Sequence, residues 1–428
     1  MTRAMKDSGL EWIGMIPENW TTSKIDNLYS LRNTKVSDRD YQPLSVTKQG
    51  IIPQLETATK TDAHDDRKLV KIDDFVINSR SDRRGSCGIS SLEGSVSLIN
   101  TVLSSKSNIS SRYYDWLFHT LQFGDEFYKW GHGIVDDLWT TNWQDMRNIS
   151  IPFPPIDEQE EIATFLDFKC SQIDQLTDNI KQQIASLSEY KKALITQAVT
   201  KGLDPDVEMK DSGIEWIGKI PSHWSILRIA NIYTERSETG CKDDLPILMV
   251  SINSGVSNGE VLDEERTRMV VRSEDKSLYK RVYPDDLVYN TMRAWQGAFG
   301  AVRVNGLVSP AYVTAAPKID IDSRYIEYLL RTPPAKEEMK RYSYGIADFR
   351  MRLYWQYFKN ISVALPPLDE QHHIASFIDS SYFKIDSVIK KKSELLETLQ
   401  DYKKSLIYDY VTGKREVPAS YRKDSCHE

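Results

Sequence analysis

The chain has 428 residues, 40% hydrophobic and 27% charged, with a formal net charge of −7, long enough for two domains that each bury a core. Charges at Arg3, Lys6, Asp7, Glu11 and Glu18 argue against a secretory leader, and no run of eighteen apolar residues offers a membrane span. Four scattered cysteines (Cys87, Cys170, Cys241, Cys426) suggest neither a zinc site nor a disulfide framework, so a reducing cytosol is expected.

In chain order, the first feature is Met5-Lys-Asp-Ser-Gly-Leu-Glu-Trp-Ile-Gly-Met-Ile-Pro17 followed by Trp20. Short apolar runs at 43–46 and 75–77 then read as strands, and 113–123 reads as a helix. Pro154-Pro155-Ile-Asp-Glu-Gln159 places prolines at a helix start, where a missing N–H does no harm, and acids in the first turn, where the helix dipole favours them. From there Ile173, Ile180, Leu187 and Leu194 recur every seven residues, joined by Ile184 and Ala198, until Lys201-Gly202 supplies a C-cap.

The series then begins again. Met209-Lys-Asp-Ser-Gly-Ile-Glu-Trp-Ile-Gly-Lys-Ile-Pro221, followed by Trp224, repeats the opening at an offset of 204 residues. From Asp285-Asp286, answering Asp73-Asp74, the offset is 212: Asn290 answers Asn78, Gly297 and Gly300 answer Gly85 and Gly88, and Trp355-Gln356 answers Trp143-Gln144. The second copy has gained eight residues, which this reading places between Ile51 and Asp73 in first-copy numbers. Strands are expected at 248–252 and 287–289 and a helix at 324–330. Pro366-Pro367-Leu-Asp-Glu-Gln371 opens a second long helix, in which Ile385, Ile389, Leu396, Leu399 and Leu406 keep the heptad phase, Lys392 interrupts it, and Gly413 ends it.

A seven-residue period over some 40 residues, a rod of ~60 Å, is the pattern of a two-helix coiled coil. The expected fold is therefore α+β: two tandem-repeated mixed domains, 1–153 and 205–365, separated by long helices at 154–204 and 366–415. These helices are expected to form an antiparallel coiled coil with pseudo-twofold symmetry. Residues 416–428 are a tail without a reading of its own. The charge divides unevenly, −2 on 1–156 and 0 on 205–366 against −4 on 157–204 and −1 on 367–428. Neither domain is basic enough to bind nucleic acid tightly alone, so a basic partner would be needed.

Several catalytic motifs fail on inspection. Gly213 to Lys219 has P-loop spacing, but Ile220 stands where Ser or Thr must hold magnesium. Phe153-Pro154-Pro155-Ile156 lacks the polar group and the aromatic of an adenine-gripping methylase turn. Asp157, Glu158, Asp369 and Glu370 read as helix-start acids, and His372-His373 has no ligand cluster beside it.

The doubled Trp-Ile-Gly-x-Ile-Pro-x-x-Trp opening and the doubled Pro-Pro-[Ile/Leu]-Asp-Glu-Gln helix entry, over nearly the whole chain to about Lys414, resemble the specificity subunits of type I restriction-modification systems. The resemblance implies a non-catalytic, cytoplasmic subunit whose two target-recognition domains each read one half of a bipartite, asymmetric double-stranded DNA sequence. It also implies partners: methyltransferase subunits, two of them, that supply S-adenosylmethionine and methylate adenine, and restriction subunits that add ATP- and magnesium-dependent translocation and cleavage. No cofactor or metal is expected on this chain and no membrane partner. The same fold could instead serve a type IIB-like methyltransferase/nuclease, or be a coiled-coil scaffold that does not bind DNA.

Residues shared by the copies should serve fold and docking, so Trp12/Trp216, Trp20/Trp224 and Asn78/Asn290 are expected to be structural. Residues that differ should read the two half-sites. Candidates are Lys48, Gln49, Arg80, Arg83 and Arg84 in the first copy, the arginines lying beside Gly85 and Gly88, where backbone can approach a ligand closely. The second copy offers Asn253, Arg293, Gln296, Arg350 and Arg352, since Arg reads guanine and Asn or Gln reads adenine.

Overall fold

A computed structural model describes residues 3–54, 64–80, 85–106, 108–133, 139–239, 245–252, 255–257, 276–345 and 351–421. The chain forms two compact units, 1–181 together with 393–428, and 182–392. The division cuts each long helix in two rather than separating helices from domains. Each unit thus holds one mixed domain, half of the helix that follows it and half of the other long helix.

In the first unit, strand Met5–Asp7 pairs with Met15–Pro17, and the chain then buries Trp20 completely. An antiparallel four-stranded sheet runs in the order Cys87–Ile89, Phe75–Asn78, Asn100–Ser105, Tyr29–Leu31. Helices Ser111–Phe118 and Leu121–Lys129 start at Ser110 and Thr120, whose side chains accept N–H bonds from Tyr113 and Phe123. They pack Tyr113, Tyr114, Leu117, Phe118 and Phe123 into the core. Strand Ser150–Phe153 closes the domain against Thr21–Lys24 and leads into the first long helix, Ile156–Lys201.

The second unit repeats this plan. Its sheet runs Tyr233–Arg236, Tyr312–Pro317, Leu287–Asn290, Phe299–Ala301, with helices Ser323–Leu330 and Pro333–Arg341 and the second long helix Leu368–Val411.

The repeated motifs lock these parts together. Glu158 accepts the indole N–H of Trp20 at 2.8 Å, and Glu370 that of Trp224 at 3.1 Å. Gln159 accepts the Ser110 amide at 2.9 Å and donates to Pro154 O, while Gln371 accepts the Asp322 amide at 3.0 Å and donates to Pro366 O. The helix entry is thus a clamp on the tryptophan and on the start of the helix before it. The end of the other long helix docks onto the same place. Tyr113 donates its hydroxyl to Val411 O at 2.7 Å, and Tyr325 donates to Val199 O at 3.0 Å. Gly413, at φ +70°, packs so tightly that a Cβ there would sit 2.5 Å from Pro17 Cδ.

Asp73 and Asp285 hold left-handed backbone (φ +66° and +67°), which turns the chain so that Asp74 and Asp286 point inward onto Arg32 and Arg236. Burial pushes the Asp286 carboxyl up to about 6, against the pull of the Tyr283 amide and Arg236. The native state then holds this proton more tightly than the unfolded chain. The stability it contributes is whole below the ordinary aspartate value and is lost as pH rises through about 6. A carboxyl-carbon NMR titration of Asp286 should show a midpoint near 6, and an ordinary aspartate midpoint would contradict this.

Within each unit the helix halves run antiparallel. In the first, the Phe165 and Tyr410 rings lie 4.5 Å apart and Asp174 meets Lys403 at 2.6 Å. In the second, Lys191 meets Asp386 at 2.6 Å and Lys392 donates to Gln183 at 2.5 Å. Ile173, Ile180 and Leu406 are buried, and Ile184, Leu187, Leu194, Ile385, Ile389, Leu396 and Leu399 are half-buried. The heptad seam also carries polar residues, Thr177, Lys191, Lys392 and Lys403, none of which is fully exposed. Lys392 stays in phase by reaching Gln183 with its ammonium. The tail, which had no reading, puts Val417 into the first core and sets Tyr421 edge-on to Phe165 at 5.2 Å.

Candidate nucleic-acid interface

In the first unit, hairpin Leu44–Thr47/Gly50–Pro53 presents a two-residue tip, Lys48 and Gln49, both exposed. Thr47 Oγ1 accepts the Gln49 amide at 3.1 Å, which holds the tip's shape. The hairpin crosses the sheet where Gly88 lies, and a Cβ on Gly88 would stand 2.9 Å from Gly50 Cα. The backbone that comes close there is the protein's own, not a ligand's. Gly300 answers with an even tighter approach to Val256.

Asn78 ends its strand and accepts the Arg80 amide at 3.0 Å, leaving Arg80 exposed beyond the turn. Ser79 O accepts the Thr141 amide at 3.0 Å, and Arg80 bridges Thr140, so the segment after residue 138 lies against this turn. Beneath it is a void of ≈ 20 Å³ lined by Ile77, Cys87, Phe118, Phe123 and Gly124, room for a single water. In the second unit Tyr289, Phe299 and Lys336 stand at the places of Ile77, Cys87 and Gly124, and the Tyr289 and Phe299 rings stack at 4.8 Å.

The second unit builds the same turn with other residues. Asn290 accepts the Met292 amide at 3.0 Å, and a short 3-10 turn, Ala294–Gln296, ends at Gly297 in left-handed conformation. Arg293 is exposed and Gln296 half-buried. Thr291 O accepts the Leu353 amide at 2.9 Å, which brings exposed Arg352 beside Arg293's turn. Arg83, Arg84, Asn253 and Arg350 lie outside the described residues.

Frame and tip therefore part company. Met292 stands where the first copy has Arg80, and Arg352 where it has Thr140, on matching backbone bonds. The hairpin tips differ in length as well: Thr47 pairs with Gly50, but Ser251 pairs with Gly255. One of the eight extra residues thus enters at the hairpin tip, ahead of the region the sequence reading gave it. Lys336, Lys340 and Trp295 escaped that reading. The Lys340 ammonium lies 5.5 Å above the ring of Trp295, which sits on the same turn as Arg293, and lysines spaced i, i+4 after a Thr-Pro-Pro helix start were the available signal.

Among the described residues no three His, Cys, Asp or Glu side chains gather to hold a metal. His372 is taken up by Asp322 at 2.7 Å. No described helix is long and apolar enough to cross a membrane.

Residues 17–187 match the family model of the type I restriction modification DNA specificity domain. The chain is 27% identical over 352 residues to the type I restriction enzyme MjaVIII specificity subunit of Methanocaldococcus jannaschii, covering 76% of this chain and 75% of that one. It is 26% identical over 298 residues to the EcoBI specificity subunit of Escherichia coli, covering 65% and 61%. In fold it is similar to a chain from a solved assembly of a type I R-M system (TM-score 0.63, 12% identity, 94% and 99% covered). It is also similar to the HsdS subunit from Thermoanaerobacter tengcongensis (TM-score 0.53, 12% identity, 94% and 98% covered).

Proposed function

Because the chain belongs to the DNA specificity subunits of type I restriction-modification systems, we propose that its two domains read the two halves of a split, asymmetric DNA target for partner subunits that carry the chemistry. The observation that carries this reading is the repeated turn: matching Asn-anchored backbone bonds present Arg80 and Thr140 in one copy and Met292 and Arg352 in the other. A frame kept constant under changed tips is what two readers of different sequences require, since phosphate contacts position while base contacts specify. On this proposal the chain itself is non-catalytic, and S-adenosylmethionine, ATP and magnesium are held by its partners.

Two methyltransferase subunits dock, one per copy, on features that the copies share. Exposed apolar positions on the long helices support that count. Leu176 and Val388 answer each other at 48% and 42% exposure, as do Tyr190 and Tyr402 at 58% and 51%, and large exposed aromatics kept in duplicate suit a protein partner. The heptad-paired helices would set the spacer between half-sites.

Adenine-methylation profiling of genomic DNA tests the reading, comparing cells that express this chain with its neighbouring methyltransferase and cells that express the methyltransferase alone. A split motif is expected only with the chain present. Unchanged methylation, or one continuous motif, would overturn the two-reader model.

A further inference from the structure

The second unit has a cleft of ≈ 340 Å³ between the start of helix Pro333–Arg341 and the two long-helix segments of that unit, lined among others by Lys191, Lys192, Arg331, Lys336, Tyr382 and Asp386. Three of its four cations have carboxylates of their own. Lys191 meets Asp386 at 2.6 Å, Lys192 meets Glu189 at 2.7 Å, and Arg331 meets Glu327 at 3.0 Å while also donating to Ile252 O. Lys336 has no carboxylate partner among the described residues. Burial first, then Arg331 and Lys192, pull its ammonium below the usual lysine range. A half-buried cation among cations is a poor arrangement for the free protein, and an anion in the cleft relieves it.

Its position indicates which anion. The Lys336 side chain lies across Gly297, where a Cβ would come within 3.0 Å of Nζ, and Gly297 ends the turn that carries Arg293 and Gln296. One helical turn on, Lys340 covers Trp295 of that same turn. The cationic row is continuous with the candidate reading turn. A side chain that enters a DNA groove is flanked on both sides by backbone phosphates.

We propose that Lys336, supported by Lys192 and Arg331, holds a backbone phosphate of the DNA beside the second half-site. This rests on the specificity-subunit reading and adds to it a contact that positions without reading sequence. The contact belongs to the second unit alone, because Gly124 occupies the matching place in the first, so the two halves grip the backbone differently.

The test uses the assembled complex with its methyltransferase and a duplex bearing the motif found by methylation profiling. Lys336→Met keeps the apolar stem and removes the charge; Lys336→Arg keeps the charge. With Met, the slope of log affinity against log salt should flatten by about 0.9, the contribution of one phosphate. Affinity should fall about 5- to 10-fold at low salt and by less at high salt, with the methylated motif unchanged and Arg behaving as wild type. An unchanged slope overturns the proposal, as does a changed base preference, which would make Lys336 a base reader. A loss confined to assembly with the methyltransferase would point to an acidic protein segment instead. Inorganic phosphate, titrated without DNA, should leave the melting temperature unmoved; stabilisation abolished by Lys336→Met would assign the cleft to free phosphate. If the wild-type complex yields no split motif, the specificity reading has failed; if the motif appears and the slope does not change, only the Lys336 contact has.

Discussion

Replacing Trp20 with alanine should remove about 3–5 kcal/mol from the stability of the first unit, the usual cost of deleting a large buried aromatic ring. Trp20 is fully buried and does three jobs at once. Its indole N–H bonds Glu158 Oε2 at 2.8 Å, Arg3 covers its face at 5.4 Å, and its six-membered ring abuts Gly413 at the end of the second long helix. Strand, helix entry and helix end therefore meet on one side chain, and a cavity there cannot close without moving all three. Glu158→Gln is the control. It keeps an acceptor for the indole and gives up the partly exposed Arg3 ion pair, which should cost about 1 kcal/mol or less. Urea unfolding, with hydrogen exchange of Val411 and of strand Met15–Pro17 as local reporters, measures both. If Trp20→Ala unfolds within about 1 kcal/mol of wild type, the ring is not the junction described.

The second large effect is on recognition. Arg293→Ala and Arg352→Ala, tested in the complex, should each cost about 1–3 kcal/mol against the cognate duplex, roughly 5- to 150-fold in affinity. The methylation motif should become degenerate in one half only. Arg80→Ala should act on the other half, because it stands on the equivalent turn of the other unit. The two second-unit arginines sit on neighbouring segments, joined by the Leu353 amide and Thr291 O, so their effects need not add. A uniform loss with the motif intact would make them phosphate contacts. Equal relaxation of both halves would break the assignment of one domain to one half-site.

Much of this was legible before any fold was known, for reasons that differ by element. The duplication shows as a run at Met5–Pro17 and Met209–Pro221 that differs only at Leu10/Ile214 and Met15/Lys219, and the long helices show because a seven-residue apolar period survives wherever two helices share a seam. The helix entries were read as prolines and dipole-matched acids, which is local chemistry. What Glu158 and Gln159 do beyond that was not legible, since their partners, Trp20 and Ser110, are 138 and 49 residues away. Gly88 looked like an opening for a ligand and is filled by the neighbouring hairpin, because a missing side chain does not say what takes its place.

The sequence by itself determined the tandem plan, the two helix-bearing copies, the heptad seam and the kinds of side chain that differ between copies. These follow from periodicity and identity along one dimension. Only the tertiary structure decided that the end of each long helix packs against the domain other than the one it directly follows, Val411 on Tyr113 and Val199 on Tyr325. It alone placed Arg352 beside Arg293 and left Lys336 without a carboxylate partner among the described residues. Such pairings depend on which distant backbone groups and charges come within a few ångströms of each other, and hydrogen bonds and ion pairs act over that distance, not over separation in sequence.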